Sequence, residues 1–286
     1  MSEFEDRYWS SRDGLRLHYR AYGTPVAGRA PVLCLPGLTR NARDFEDLAV
    51  HVAQGREVLC LDLRGRGDSG YARDSDTYHP LQYVEDVEAL LEDAGITRFV
   101  AVGTSLGGLM TMLLALRDPA RIAGAVLNDI GPVIEPDGLV RIRDYVGSGR
   151  SFPTWMLAAR ALEETHSAAF PGFTLSDWLR VAKRMMAIGQ NGRIAFDYDM
   201  KIAEPFSRQG GEGGGDLWPA WTALAGRPVL VLRGELSDIL SAATAAEMAR
   251  RVPDAEIVTV PGRGHAPTLD EPEAVAAIDR LLARCA

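Results

Sequence analysis

The segment Gly103-Thr104-Ser105-Leu106-Gly107-Gly108 carries the strongest chemical signal in the chain. An apolar run at residues 99–102 leads into it, and an apolar helical pattern at residues 106–116 leads out. A serine at such a strand-to-helix turn sits in a strained backbone conformation with its hydroxyl raised above the sheet. Glycine at 103 and 107 leaves room where side chains would collide. The amide of Leu106 opens the helix and faces the place where a carbonyl oxygen would gain negative charge. That set suits acyl transfer through a covalent serine intermediate.

A serine hydroxyl needs a base, and the chain has five histidines. His18 lies in an alternating strand pattern, His51 in a helix-like stretch, His79 ahead of Pro80 in a loop, and His166 in a region without parallel strands. His265 follows the last strand pattern, in Pro261-Gly262-Arg263-Gly264-His265-Ala266-Pro267. Open α/β sheets place their sites in loops at the carboxyl ends of strands, so His265 is the expected base. A carboxylate should orient it. Asp238, just after the strand pattern at 228–232, is the expected partner. Glu235 on the same loop and Asp129 after the pattern at 122–127 are its rivals, although Asn128 and Asp129 also read as caps on a strand exit before Gly131-Pro132. The second donor to an oxyanion is expected from the backbone N–H of Leu38, in Pro36-Gly37-Leu38.

These residues need a frame. Residues 15–22 alternate as a half-exposed strand, with a hairpin partner before Asp13-Gly14. Near-continuous apolar runs at 31–35, 57–61, 98–102, 122–127, 228–232 and 256–260 suit strands buried on both faces of a parallel sheet. Helical patterns at 81–94, 106–116, 242–251 and 272–282 lie between them, which predicts an α/β doubly wound sheet. From 133 to 215 the alternation stops. That interval holds amphipathic helical pieces at 139–146, 154–164 and 175–188 and ends in a run of glycines. It reads as a helical insertion on a flexible tether. The expected division is a core of 1–132 plus 216–286 and a lid of 133–215. Trp155, Trp178 and Met185 are the lid side chains expected to line a substrate pocket.

Composition narrows the class. The chain has 286 residues, 31 Lys plus Arg against 39 Asp plus Glu, and a net charge of −8. A surplus of acid argues against an electrostatic nucleic-acid binder. Cys34, Cys60 and Cys285 are too scattered for a disulfide framework or a CxxC metal site, and read as buried thiols. The acidic start lacks the apolar core of a signal peptide, and no apolar run approaches the roughly 18 residues of a membrane span. A cytoplasmic protein acting on a small molecule, with no membrane or nucleic-acid partner, is the expectation. The oligomeric state is left open.

Across nearly its whole length the chain resembles the α/β-hydrolase superfamily, in its serine-nucleophile branch with a helical lid. The segments that carry the likeness are Leu35-Pro36-Gly37-Leu38, Asp62-Leu63-Arg64-Gly65-Arg66-Gly67-Asp68-Ser69, the turn around Ser105, residues 234–238, and Gly264-His265. The resemblance implies an eight-stranded sheet, its second strand antiparallel, with a lid inserted after the sixth strand. It also implies hydrolysis of a small ester, thioester or lactone by Ser105, His265 and Asp238, without metal or organic cofactor. Carbon–carbon bond hydrolysis, acyl transfer and perhydrolysis would use the same residues. A non-catalytic ligand receptor is the rival from another class. In the Asp62–Ser69 turn the expected role is structural, with Asp62, Arg64 and Ser69 bonding loop backbone; Arg64 or Arg66 contacting an acidic substrate is the alternative.

Overall fold

The computed structural model describes residues 4–208 and 215–285. The chain opens on an antiparallel hairpin, β1 (Glu5–Ser10) and β2 (Arg16–Tyr22), turning at Asp13-Gly14, where Gly14 has a φ of 80°. Then come β3 (Val32–Leu35), α1 (Glu46–Val52), β4 (Val58–Asp62), α2 (Pro80–Asp93), β5 (Phe99–Thr104), α3 (Leu106–Arg117) and β6 (Ile122–Asn128). The lid segment carries α4 (Pro136–Tyr145), β7 (Ser151–Phe152), α5 (Trp155–His166), α6 (Leu175–Met185), β8 (Met186–Ile188), β9 (Ile194–Phe196) and α7 (Ala203–Arg208). The core resumes with α8 (Trp218–Thr222), β10 (Val229–Gly234), α9 (Ala242–Arg251), β11 (Glu256–Val260) and α10 (Pro272–Ala283).

Eight strands form one sheet in the order β1-β2-β4-β3-β5-β6-β10-β11. β2 runs antiparallel to both neighbours, and the pairs from β4 to β11 are parallel. Successive side chains point to opposite faces. In β3, Leu33 and Leu35 join the apolar layer under α2 and α3, while Val32 and Cys34 join the layer under α1 and α10. Both faces are covered, which is why the central strands read as unbroken apolar runs rather than alternating ones. Cys34, Cys60 and Cys285 are all buried.

The segment between β6 and α8 departs from the purely helical reading. It contains a three-stranded antiparallel sheet in the order β7-β9-β8. Its strands have two or three residues, too short for an alternation to show. The helix expected over 175–188 ends at Met185, and Met186 begins β8. A capping box starts α6: the Thr174 N–H donates to Asp177 Oδ2 at 2.8 Å, and the Asp177 N–H returns to the Thr174 hydroxyl. Trp178, Ala182 and Met185 recur at helical spacing and pack with Ala158, Ala159 and Leu162 of α5 into the lid's own apolar cluster. Of the glycine tether, residues 209–214 lie outside the described residues.

Candidate active site

β5 and α3 position the serine. Ser105 has φ 52° and ψ −114°, a left-handed conformation that non-glycine residues rarely adopt. The turn closes only because glycines flank it: a Cβ on Gly103 would strike the Gly107 backbone, and one on Gly107 would strike the Leu35 carbonyl. Leu106 is the first residue of α3, where an N–H has no carbonyl inside its own helix. Leu38 lines the cleft beside Ser105. Its carbonyl accepts from Arg66 Nε at 3.0 Å and Nη2 at 2.8 Å, and Arg66 is fully buried. The Asp62–Ser69 turn therefore fixes the loop meant to supply the second donor.

Ser105 Oγ lies 2.9 Å from His265 Nε2. The other histidines are engaged elsewhere. His18 lies between Asp62 and Asp6, His51 reaches Asp279, and His79 caps α2. His166 lines the cleft, its Nδ1 3.2 Å from the Leu162 carbonyl.

The acid differs from the sequence expectation. His265 Nδ1 lies 2.7 Å from Asp129 Oδ2, not from Asp238. Asp129 leaves β6 with φ 57°, a conformation aspartate tolerates better than most residues. Its buried carboxylate also accepts from the Gly234 N–H at 2.8 Å and the Ser237 hydroxyl at 2.6 Å. The loop after β10 thus contributes Ser237 as an orienting donor, while Asp238 turns toward the lid. There Arg141 of α4 holds the Asp238 carboxylate through Nε at 2.5 Å and Nη2 at 2.8 Å. α4 approaches this closely because residue 138 is glycine: a Cβ there would press on the Asp238 backbone. Burial alone would raise the Asp238 carboxyl, but Arg141 outweighs it and holds it below the usual range. Glu235, the other rival, accepts from the Gly262 N–H instead.

Trp178 and Met185 line the cleft. Trp155 does not: it packs against the lid's apolar cluster. Sequence reading missed Arg40, Arg141, Tyr145 and His166 at one part of the wall and Phe170 and Phe173 at another. Only the helical spacing of Arg141 and Tyr145 carried a trace of them. In the Asp62–Ser69 turn, Ser69 bonds the Asp62 carbonyl and Asp62 accepts from the Ala42 and Asp68 N–H groups. Arg64 departs from the expectation and binds the side chains of Asp86 and Asp13. His18, Asp62 and Asp68 lie close enough to share a cation, yet both Asp62 oxygens and both His18 nitrogens already have partners. Among the described residues no helix is long and apolar enough to cross a membrane.

The segment between β6 and α8 also contacts the loop that carries His265. The Gly264 N–H donates to the Ala169 carbonyl at 2.6 Å, and a Cβ on Gly264 would lie 2.9 Å from Ala169 Cα.

With this sheet, elbow and histidine loop, the chain belongs to the alpha/beta hydrolase family, whose model matches residues 32–278; it is a hydrolase. It is 35% identical over 268 residues to the 3-hydroxybutyrate-oligomer hydrolase of Cupriavidus necator, covering 91% of this chain and 90% of that one. It is 26% identical over 242 residues to the 2-(acetamidomethylene)succinate hydrolase of Mesorhizobium japonicum, covering 83% and 82%. The crystal structure of an alpha/beta hydrolase from Novosphingobium aromaticivorans superposes with a TM-score of 0.95 at 65% identity, covering 99% of both chains.

Proposed function

We propose that the protein is a serine hydrolase of small carboxylic esters, with Ser105 as nucleophile, His265 as base and Asp129 as the residue that orients and stabilises His265. The observation that carries this is the continuous chain of contacts from Ser105 Oγ to His265 to Asp129, at 2.9 Å and 2.7 Å. Both distances are within hydrogen-bond reach, as a nucleophile and its base require. Ser105 attacks the ester carbonyl and gives its proton to His265 Nε2. The Leu106 and Leu38 N–H groups receive the charge on the oxyanion. His265 protonates the departing alcohol, takes a proton from the water that attacks the acyl-enzyme, and returns it to Ser105 Oγ as the acid leaves. The buried Asp129 favours the imidazolium formed at each step. Residues 133–215 act as a lid that shapes the acyl pocket. The name of the 35% identical relative, a 3-hydroxybutyrate-oligomer hydrolase, favours an ester of a short hydroxy acid.

The test is a fluorophosphonate probe read by intact mass. A single adduct on the wild type, absent from Ser105→Ala and His265→Ala, is the expected result. A folded wild type that takes no adduct would return the protein to the ligand-receptor reading. Product analysis then separates ester hydrolysis from carbon–carbon cleavage and from acyl transfer.

A further inference from the structure

We propose that Arg40 and Arg141 form a carboxylate-recognising subsite in the cleft, so that the preferred ester carries a free carboxylate near its scissile bond. This rests on the serine-hydrolase reading of the same cleft. The two guanidinium groups come from different parts of the molecule. Arg40 follows the turn that holds Leu38, and Arg141 lies on α4 of the lid. Both line the cleft that contains Ser105 and His265. Arg40 is close to the nucleophile, because its Cγ and Ser105 Cβ flank the same position: a Cβ on Gly37 would lie 3.3 Å from one and 3.8 Å from the other.

Each arginine is clamped by an aspartate, and Asp44 lines the cleft beside Arg40. Asp44 takes Arg40 Nε and Nη2, both at 2.6 Å. Asp238 takes the same two atoms of Arg141. A two-bond clamp fixes the plane of the fork and leaves the two Nη1 hydrogens and the second Nη2 hydrogen as donors. Among the described residues, Arg40 Nη1 makes no hydrogen bond, and its side chain is 26% exposed. Arg141 also engages Tyr145, and 33% of its side chain is exposed. Each clamp pairs a guanidinium charge with a carboxylate charge. His166, which lines the same cleft, is pushed below the usual imidazole range, first by burial and then by the positive charge of Arg141 and Arg40. An anion placed there meets two oriented cations and a neutral imidazole. Phe170, Phe173, Trp178, Val181 and Met185 line the same cleft with apolar surface, and the three aromatic rings pack on one another. Charged and hydrocarbon lining together suit a short acyl ester with a carboxylate.

The inference also gives Asp238 a task. It is a positioning residue that sets the Arg141 fork, and acts on binding rather than on the chemical step.

The experiment is competition against 4-nitrophenyl acetate, a neutral ester offered to the purified protein as reporter. The competitors are 3-(butanoyloxy)butanoate and its primary amide, which differ only in the charge. The carboxylate is expected to compete at least tenfold more tightly than the amide, a difference of about 1.4 kcal/mol, and the advantage should shrink as salt is added. In Arg40→Gln and in Arg141→Gln the ratio of the two constants should collapse toward one. Asp238→Asn should lower the ratio without abolishing it. Equal competition in the wild type, or variants that keep the ratio while weakening both compounds alike, would overturn the subsite. Absence of reporter turnover and of the fluorophosphonate adduct would instead strike at the serine-hydrolase reading itself.

Discussion

Asp129 and Asp238 stand at the ends of neighbouring strands, β6 and β10, and the molecule uses them differently. Asp129 is buried and meets three donors: a backbone N–H, a hydroxyl and the His265 ring. Asp238 keeps 35% of its side chain exposed and meets a single cation that arrives on the lid. A carboxylate ringed by donors from the core loops keeps its position independently of α4. One that depends on Arg141 is only as well placed as α4. The first suits support of a charged imidazole during turnover, the second suits adjustment of a binding wall.

The sharpest way to break this contrast is a pair of substitutions. Asp129→Asn should lower kcat by about 10⁴-fold, the loss typical when an orienting carboxylate is neutralised. Asp238→Asn should leave kcat on a neutral ester within about tenfold. Steady-state kinetics on 4-nitrophenyl acetate reads both, and the reverse ranking would assign the acid to Asp238 after all. A second measurement probes how far the lid reaches into the floor. Gly264→Ala forces a methyl against the Ala169 backbone, so kcat should fall by up to about 10²-fold through displacement of His265. Overpacking of about 1–3 kcal/mol should accompany it, read as a drop of several degrees in Tm by calorimetry. The smallest effect is the Arg141–Asp238 latch. The folded Asp238 carboxyl lies below its unfolded range near 3.9. Its stabilisation is therefore complete above that range and lost as pH falls through the folded value. With a third of the side chain in water the latch contributes about 0.5 kcal/mol. The stability gap between wild type and Asp238→Asn, by urea titration, should be present at pH 7 and shrink as the pH is taken below the ordinary carboxylate range.

The core was legible because its signals are local. Apolar runs of strand length, the glycines around Ser105 and the loop of His265 each announce themselves within a few residues. The acid was not, because the choice between Asp129 and Asp238 depends on where two adjacent loops point. Asp129 looked like a strand cap, and only the folded chain shows its carboxylate between Gly234, Ser237 and His265. The lid resisted for another reason. Its strands are shorter than a period can reveal, and Trp155 and Trp178 look alike in sequence although only Trp178 reaches the cleft. Arg40 and Arg141 lie a hundred residues apart, so no spacing rule joins them.

The bond from Gly264 to the Ala169 carbonyl bears on how such proteins can be recombined. A chimaera that grafts a foreign lid onto this core must bring a carbonyl to the place Ala169 occupies, and must leave that residue's Cα clear of position 264. Lid and histidine loop are then inherited together or not at all, and a library that shuffles one without the other would be populated mostly by proteins that fold, bind and do not turn over.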